Sequence, residues 1–149
     1  MSEDEKKNIK LIGKNEEDLK VISAYSQDSI ITVKDMVFLK KNRIFLMIIN
    51  RFMWEDVKKE KFMQNKRIRS AIKFEGILKV KSKKINQKNR SKLLEFLAIE
   101  CKEIFGKNYE INFFFAGGAA ITLITETIEV VMHDLGIPWN VKHTPEHKI

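Results

Sequence analysis

The segment that most restricts the fold of this chain is Ile44-Phe45-Leu46-Met47-Ile48-Ile49, six consecutive apolar residues. A strand with this sequence is apolar on both faces, and strands of that kind lie in the centre of a sheet, covered on both sides. Residues 33–39 before it alternate in strand fashion, and Lys41-Asn42 supplies a turn between the two. The sequence therefore predicts a central hairpin from about Val33 to Arg51.

Further strand signals follow this hairpin. Residues 72–83 place apolar side chains on one face and mostly lysines on the other, which predicts one half-solvated antiparallel strand. Residues 93–102 predict a strand with apolar residues on both faces, and residues 111–116 and 119–125 flank Gly117-Gly118, a pair able to form a hairpin turn.

Two helices are predicted at the ends of the chain. Asn15, followed by Glu16, Glu17 and Asp18, has the pattern of an N-cap with an acidic first turn, so the first helix should run to about Asp28. At the other end, apolar residues recur at i, i+3, i+4 and i+7 and are followed by a candidate C-cap, Gly136, and Pro138. The apolar residues are Ile128, Val131, Met132 and Leu135.

The predicted fold class is therefore α+β, with about six antiparallel strands between an N-terminal and a C-terminal helix. Two arrangements fit this order: a strongly bent sheet closed by the last helix, as in pleckstrin-homology-like (PH-like) barrels, and an open sheet covered by both helices. The 149 residues are enough for one compact domain, which we expect at 11–139, with residues 1–10 and 140–149 as flexible tails.

The positive charge is concentrated in the middle of the chain. Residues 57–92 contain 14 Lys or Arg residues but only Glu60 and Glu75 as acids, whereas the whole chain has a net charge of +8. The alternation of Lys73, Lys79, Lys81 and Lys83 predicts a basic stripe for a polyanion such as RNA or DNA. Two alternatives compete with a functional stripe. Lysine is a usual residue of solvated strand faces, and its A/T-rich codons are enriched in genomes of low G+C content.

No complete catalytic or metal-binding set is recognisable, so we expect neither an enzyme of known type nor a cofactor. The histidines of His143-Thr144-Pro145-Glu146-His147 match a zinc-site spacing, but Pro145 interrupts the helix that such a site requires. Cys101 is the only cysteine and is expected to be a buried thiol. The sequence shows neither a membrane span nor a secretory signal, which predicts a cytoplasmic protein.

The densest group of unusual side chains follows the central strand, in Asn50-Arg51-Phe52-Met53-Trp54-Glu55. The candidate contact residues for a partner protein or an anionic ligand are Asn50, Arg51, Trp54, Glu55, Arg67 and Arg69. The leading interpretation is a non-catalytic binding or interaction module, with a homo-oligomer as one form. Its alternatives are weak nucleic-acid binding through residues 57–92 and an enzyme of undescribed mechanism that uses Arg51, Trp54 and Glu55. The competing structural interpretation packs Phe52 and Trp54 under the sheet and pairs Arg51 with Glu55.

Four short segments carry a resemblance to a known family. They are residues 50–55, residues 67–74 from Arg67-Ile68-Arg69 into Ile72-Lys73-Phe74, the hairpin Phe115-Ala116-Gly117-Gly118, and Asp134-Leu135-Gly136. Together they resemble DUF2948, a family of uncharacterised bacterial proteins, over about residues 11–139. The resemblance implies one compact domain and brings no activity with it.

Overall fold

The computed structural model of the protein describes residues 8–54 and 65–141. Within these ranges it contains ten strands and one α-helix, α1 (Glu16–Ser26). The strands are β1 (Lys10–Gly13), β2 (Ile30–Thr32), β3 (Met36–Leu39), β4 (Ile44–Phe52), β5 (Lys66–Phe74), β6 (Ile77–Lys83), β7 (Leu93–Glu103), β8 (Tyr109–Phe115), β9 (Ala120–Thr125) and β10 (Val130–Asn140).

All of the strands belong to one antiparallel sheet, with the order β1-β10-β5-β4-β2-β7-β8-β9-β6, and β3 pairs with β4 beside β2. The short strand β2 joins the two halves, because it pairs with β4 through Ile30 and Asn50 and with β7 along its whole length. The long apolar strand β4 is central, as its sequence predicts, since it pairs with β5 on one side and with β2 and β3 on the other.

The sheet folds over so that its two halves enclose the core. Phe74 of β5 and Phe113 of β8 belong to strands four steps apart in the sheet, which is roughly 19 Å in a flat sheet with the usual strand spacing. Their ring centroids are only 5.3 Å apart. Phe45 and Phe96 also contact Phe113, with centroid distances of 6.4 and 6.3 Å. Phe113 is therefore the centre of the aromatic core.

Helix α1 closes the core between β1 and β7. Its N-cap is Asn15, as predicted: the Asn15 side chain accepts a hydrogen bond from the Asp18 N–H at 2.8 Å. Leu19 and Ile22 of the helix are buried in the core. The helix lies close to Gly13, where an added Cβ atom would be 2.5 Å from a methyl carbon of Val130. Only glycine fits at this contact without a local shift.

The predicted fold class is wrong in its strand count and in its second helix. Residues 130–140 form the strand β10 and not a C-terminal helix, so no PH-like closure by a terminal helix exists in the described ranges. The helical spacing of Val131, Met132 and Leu135 was coincidental. In β10 the side chains alternate in strand fashion, with Val130 and Met132 buried and Val131 and Leu135 on the other face.

The single strand predicted for residues 72–83 is two strands. Gly76 has a φ of +74°, a value that side chains other than glycine rarely allow, and it turns the chain between β5 and β6. β5 then pairs with β4 and β10, whereas β6 pairs with β9 in the other half of the sheet. Together with the short strands β1 and β2 and with β10, this turn explains why ten strands form where about six were expected.

Candidate functional site

The inner face of the sheet holds a buried ion pair between the predicted site residue Arg51 and Asp134. Asp134 on β10 is the register partner of Ser70 on β5, and Arg51 on β4 projects from the next strand over. The Arg51 Nε and Nη2 atoms donate to the two oxygens of Asp134 at 2.8 and 2.7 Å. Both side chains are fully buried. This is the two-pronged geometry in which arginine binds a carboxylate most strongly.

Further polar groups complete this buried centre. The Ser70 hydroxyl donates to Asp134 Oδ1, and the Ile9 backbone N–H donates to Asp134 Oδ2 at 2.9 Å. The Tyr25 ring lies 5.6 Å from the Arg51 guanidinium carbon, within the range of a cation–π contact. Because Ile9 directly precedes β1 and Tyr25 belongs to α1, the cluster connects β4, β5, β10 and the start of β1 with the helix.

The carboxyl of Asp134 is held in its charged form. Burial alone would raise its pKa, but the hydrogen bonds from Arg51 and Ser70, the positive charge of Arg51 and the Ile9 N–H outweigh burial. The net result is that the pKa of Asp134 lies below its ordinary value of 3.8. The pair is consequently an ionised salt bridge at neutral pH.

A second arginine, Arg67 on β5, lies beside Phe52 at the end of β4 in a partly buried position. Its Nη1 atom donates to the Asp28 carbonyl at 3.1 Å and to the Asn50 carbonyl at 3.0 Å. Its guanidinium carbon is 5.8 Å from the centre of the Phe52 ring. Burial lowers the pKa of Arg67, and the nearby carboxylates of Asp28 and Glu95 oppose that shift.

Trp54 anchors the end of the same strand. Its Nε1 atom donates to the Gln27 carbonyl at 2.9 Å, and its ring meets the edge of Phe52 at a centroid distance of 4.7 Å. Phe52 is fully buried, which agrees with the packing interpretation for this aromatic residue. Glu55, and with it the predicted pair between Arg51 and Glu55, lies outside the described residues.

The six predicted contact residues do not form one surface. Arg51 is in the interior, whereas Arg69 is exposed on the outer face of the sheet next to Leu135 and Asn50, its partners in register. Arg67 and Trp54 are partly buried, to a degree intermediate between those of Arg51 and Arg69. The structure thus brings Asn50, Arg67 and Arg69 to one region and separates Arg51 from them. Whether these residues contact a partner remains a prediction.

The outer face of β1, β10, β5, β4 and β3 is unusually apolar. One row of register partners crosses all five strands and contains Ile12, Val131, Lys73, Leu46 and Val37. On the same face, Ile48 lies in the next row, with Ala71 and His133. Leu135 lies in the row beyond it, with Arg69 and Asn50. We refer to Ile12, Val37, Leu46, Ile48, Val131 and Leu135 as the apolar outer face.

The predicted lysine stripe is divided between the two halves of the sheet. Lys73 is on β5, in the apolar outer face, where it forms an ion pair with Glu75 at 3.1 Å. Lys79, Lys81 and Lys83 are exposed on β6, in register with Ile124, Thr122 and Ala120 of β9. Gly76 is the cause of the separation, because the chain bends there and passes from one half of the sheet to the other.

The remaining candidates for chemistry are the histidines near the C-terminus and the thiol of Cys101. Residues 143–147, with their histidines, lie outside the described residues, and within residues 8–54 and 65–141 no cluster of three metal-ligating side chains occurs. The thiol of Cys101 is half-buried, and burial, followed by the charge of Glu16, raises its pKa to about 11. It is therefore a protonated and weakly nucleophilic thiol at neutral pH. No helix in the described ranges is both long and apolar enough to cross a membrane.

The fold and this centre define a small antiparallel β protein whose interior is connected by a buried arginine–aspartate pair. The family model of a protein of unknown function, DUF2948, matches residues 9–147. The chain therefore belongs to the DUF2948 family, and the resemblance seen in the sequence is confirmed. No curated protein and no solved structure matches the chain. Two of the segments that carry the resemblance, residues 50–55 and 134–136, contain the two partners of the buried pair.

Proposed function

We propose that the chain is a non-catalytic interaction module of the cytoplasm that binds a protein partner through the apolar outer face. The observation that carries this proposal is the exposure of large apolar side chains on a sheet surface. Ile12 is 59% exposed and Val37 is 43% exposed, at opposite ends of the row that crosses five strands. Leu46 and Val131 lie between them and are only half-buried.

Exposure of such an apolar surface to water is unfavourable in free energy. The outer face of an antiparallel sheet is usually polar when it meets solvent, and a contiguous apolar patch on a soluble protein commonly marks an interaction site. The one helix of the described residues packs on the inner side, against Gly13 and the core. Within these residues the apolar outer face therefore has no cover of its own.

The charges beside this face indicate the chemistry of the partner. Lys10 and Arg69 lie in the rows of Ile48 and Leu135. Lys73, in the row of Leu46, is already paired with the nearby carboxylate of Glu75, so the available charges are those of Lys10 and Arg69. A second copy of the chain would bring like charges together, which opposes association. The face is better matched by a partner whose apolar strip is bordered by Asp or Glu residues. Arg51 has no part in this contact, because it is buried.

This proposal predicts a specific result in a selection of peptides from a random display library. We expect enriched sequences that combine apolar residues with Asp or Glu, and at least about tenfold weaker binding by the double variant Ile12→Ser/Val37→Thr. Binding is measured by fluorescence polarisation on synthetic peptides. Each substitution removes exposed apolar surface but leaves the core intact, so folding should be retained.

The matched control is Leu93→Ser/Leu97→Thr on β7. These residues are 60% and 41% exposed and lie outside the apolar outer face, so this variant should bind the peptides as the wild type does. The proposal fails if no sequences are enriched or if both double variants bind equally well. Light scattering tests the choice of partner. If the wild type is a dimer, and the dimer is lost in Ile12→Ser/Val37→Thr but kept in Leu93→Ser/Leu97→Thr, the partner is a second copy of the chain and this part of the proposal is wrong.

A second candidate function, weak binding of single-stranded nucleic acid, is favoured by the surface around β6. Lys81 and Lys83 border a shallow depression of about 730 Å³ whose floor includes Asn112, Phe114 and Thr122. Phe114 is half-buried, and lysines next to an aromatic ring that borders an open groove are the usual elements of a sequence-tolerant single-strand site. The competing explanation is that lysines on a strand at the end of a sheet prevent aggregation.

Mobility-shift titrations distinguish these two explanations. A real phosphate-contact site should lose affinity steeply between roughly 50 and 200 mM salt, and Lys79→Glu/Lys81→Glu/Lys83→Glu should abolish the shift. The triple variant Lys14→Glu/Lys40→Glu/Lys107→Glu changes the net charge equally at exposed sites elsewhere, and it should retain most of the binding. An equal loss in both triple variants would show that only the overall charge matters.

A further inference from the structure

A cavity lies where the folded sheet comes closest to meeting itself. Strand β3 pairs only with β4, and β6 pairs only with β9, in the part of the chain that the structure describes. Between β3 and β6 is a cavity of about 320 Å³. Small-molecule sites in proteins begin at about this volume and are common in the mouths of folded sheets. The cavity is lined mainly by side chains on the other side of β3 and β4 from the apolar outer face, and Val37 of that face also borders it.

The walls of this cavity are apolar. Phe45 and Ile121 are buried side chains from the two halves of the sheet, and Met36, Phe38 and Val80 are half-buried side chains that reach the opening. Half-buried apolar side chains around an open volume gain further burial when an apolar group fills that volume. The interior of the cavity therefore suits a hydrocarbon chain or ring.

The mouth of the cavity is polar and positively charged. It is formed by Ser82, Gln87 and Arg90, and the Gln87 Nε2 atom donates to Ser82 Oγ at 3.3 Å. Among the residues that the structure describes, no carboxylate lines the cavity, and residues 83–92 contain five basic residues and no acid. Arg90 has no ion-pair partner among the described residues. An unpaired guanidinium at the mouth of an apolar cavity attracts an anionic head group, and its planar shape fits a carboxylate.

The backbone around the mouth is fixed before any ligand arrives. The N–H groups of Val33 and Lys34 donate to the carbonyls of Lys92 and Arg90, each at 3.0 Å. The Lys88 N–H is held by the Asn86 side chain at 3.0 Å. These bonds attach the loop of residues 86–92 to the turn before β3, so little ordering of the backbone is required when a ligand binds.

We propose that this cavity binds an amphipathic monocarboxylic acid, with the hydrocarbon part between Phe45 and Val80 and the carboxylate on Arg90. An extended peptide added to the open edges of β3 and β6 is a different kind of occupant. The acid is favoured because the lining of the apolar volume includes one cation, Arg90, whereas an added strand would need no such charge at that position.

The experiment is a two-dimensional NMR titration of the full chain with hexanoate, octanoate, decanoate and dodecanoate below their micelle concentrations. We expect saturable shifts at Met36, Phe38, Val80 and Arg90, with affinity that rises with chain length until the cavity is full. Arg90→Gln should weaken decanoate binding at least tenfold, and decanol should bind the wild type about as weakly as decanoate binds that variant. Lys88→Gln removes one charge from the same loop but not from the cavity, and it should leave the affinity within about twofold of the wild type.

A second variant tests the apolar part of the site. Val80→Phe fills the cavity from its wall, and it should abolish the decanoate shifts in a protein whose amide spectrum remains dispersed. The proposal would be overturned by an absence of saturable shifts, by equal binding of decanol and decanoate, or by shifts that survive Val80→Phe. Binding of an extended apolar peptide at β3 and β6 without any binding of the acids would also overturn it.

Discussion

Replacing Arg51 by methionine should lower the free energy of unfolding by about 3–5 kcal/mol, because the buried carboxylate of Asp134 then loses its partner. Ser70 and the Ile9 N–H would still bind Asp134, but neither supplies a positive charge. Urea denaturation followed by circular dichroism measures this loss. A decrease below about 1 kcal/mol would show that the pair is dispensable for the fold.

A double-mutant cycle separates the ion pair from general damage to the core. Arg51→Met/Asp134→Asn should cost less than the sum of the two single variants, because the second change removes the unpaired charge left by the first. Glu17→Gln is the control, since it breaks an exposed pair with Lys20 and should change stability by no more than about 0.5 kcal/mol. Strictly additive single variants would contradict the proposed coupling.

The pH dependence of this effect has a defined sign. A carboxyl whose folded-state pKa is lowered contributes stability above its unfolded pKa, and the contribution is lost as the pH falls through the folded value. The difference in stability between the wild type and Asp134→Asn should therefore be constant near neutral pH and shrink below about pH 3.8. In Arg51→Met, burial of Asp134 is no longer opposed by the arginine. That variant should thus lose less stability on acidification than the wild type.

The second large effect is expected at Phe113. Truncation to alanine removes the ring that contacts Phe45, Phe74 and Phe96, and it should destabilise the protein by about 3–5 kcal/mol. Differential scanning calorimetry gives this loss as a fall in melting temperature. The control is Phe105→Ala in the β7–β8 turn, where the ring is 98% exposed, and the change should be within about 0.5 kcal/mol. Similar losses in both variants would mean that Phe113 is not the centre of the core.

The parts of the fold that the sequence predicts correctly are those where local chemistry and burial agree. Asn15 begins α1 because its side chain satisfies a free backbone N–H, which is a local effect. β4 and the β8–β9 hairpin follow from apolar runs next to turn residues, and Gly117 and Gly118 both have a φ of +82°. These signals depend on neighbours in sequence, so they can be recognised without knowledge of the tertiary structure.

The strand β10 was missed because one of its inward positions is charged. Val130, Met132 and Asp134 all face the interior, but an aspartate interrupts the apolar alternation that identifies a strand. Its partner, Arg51, is 83 residues away, so the sequence around either residue does not indicate that the two charges pair. A carboxylate at an expected inward position is the one sequence signal that could have indicated a buried pair.

The candidate site could be predicted from the sequence only in part. The unusual residues after β4 could be recognised as a cluster, but the division between interior and surface depends on which strands are neighbours. Arg51 and Arg69 are both arginines near a strand end, yet one is fully buried and the other exposed. The apolar outer face was also hidden, because a strand that is apolar on both sides is normally read as covered on both sides.

The position of β10 between β1 and β5 has a consequence for the synthesis of the chain. While the ribosome is still producing residues 75–129, β1 has no strand to pair with, and one edge of β5 is open. The β7–β8 and β8–β9 hairpins can form early because their strands are neighbours in sequence. The half of the sheet that contains β1 and β5 must wait for β10, the last described strand. A nascent chain arrested before residue 130 should therefore be the form most in need of a chaperone.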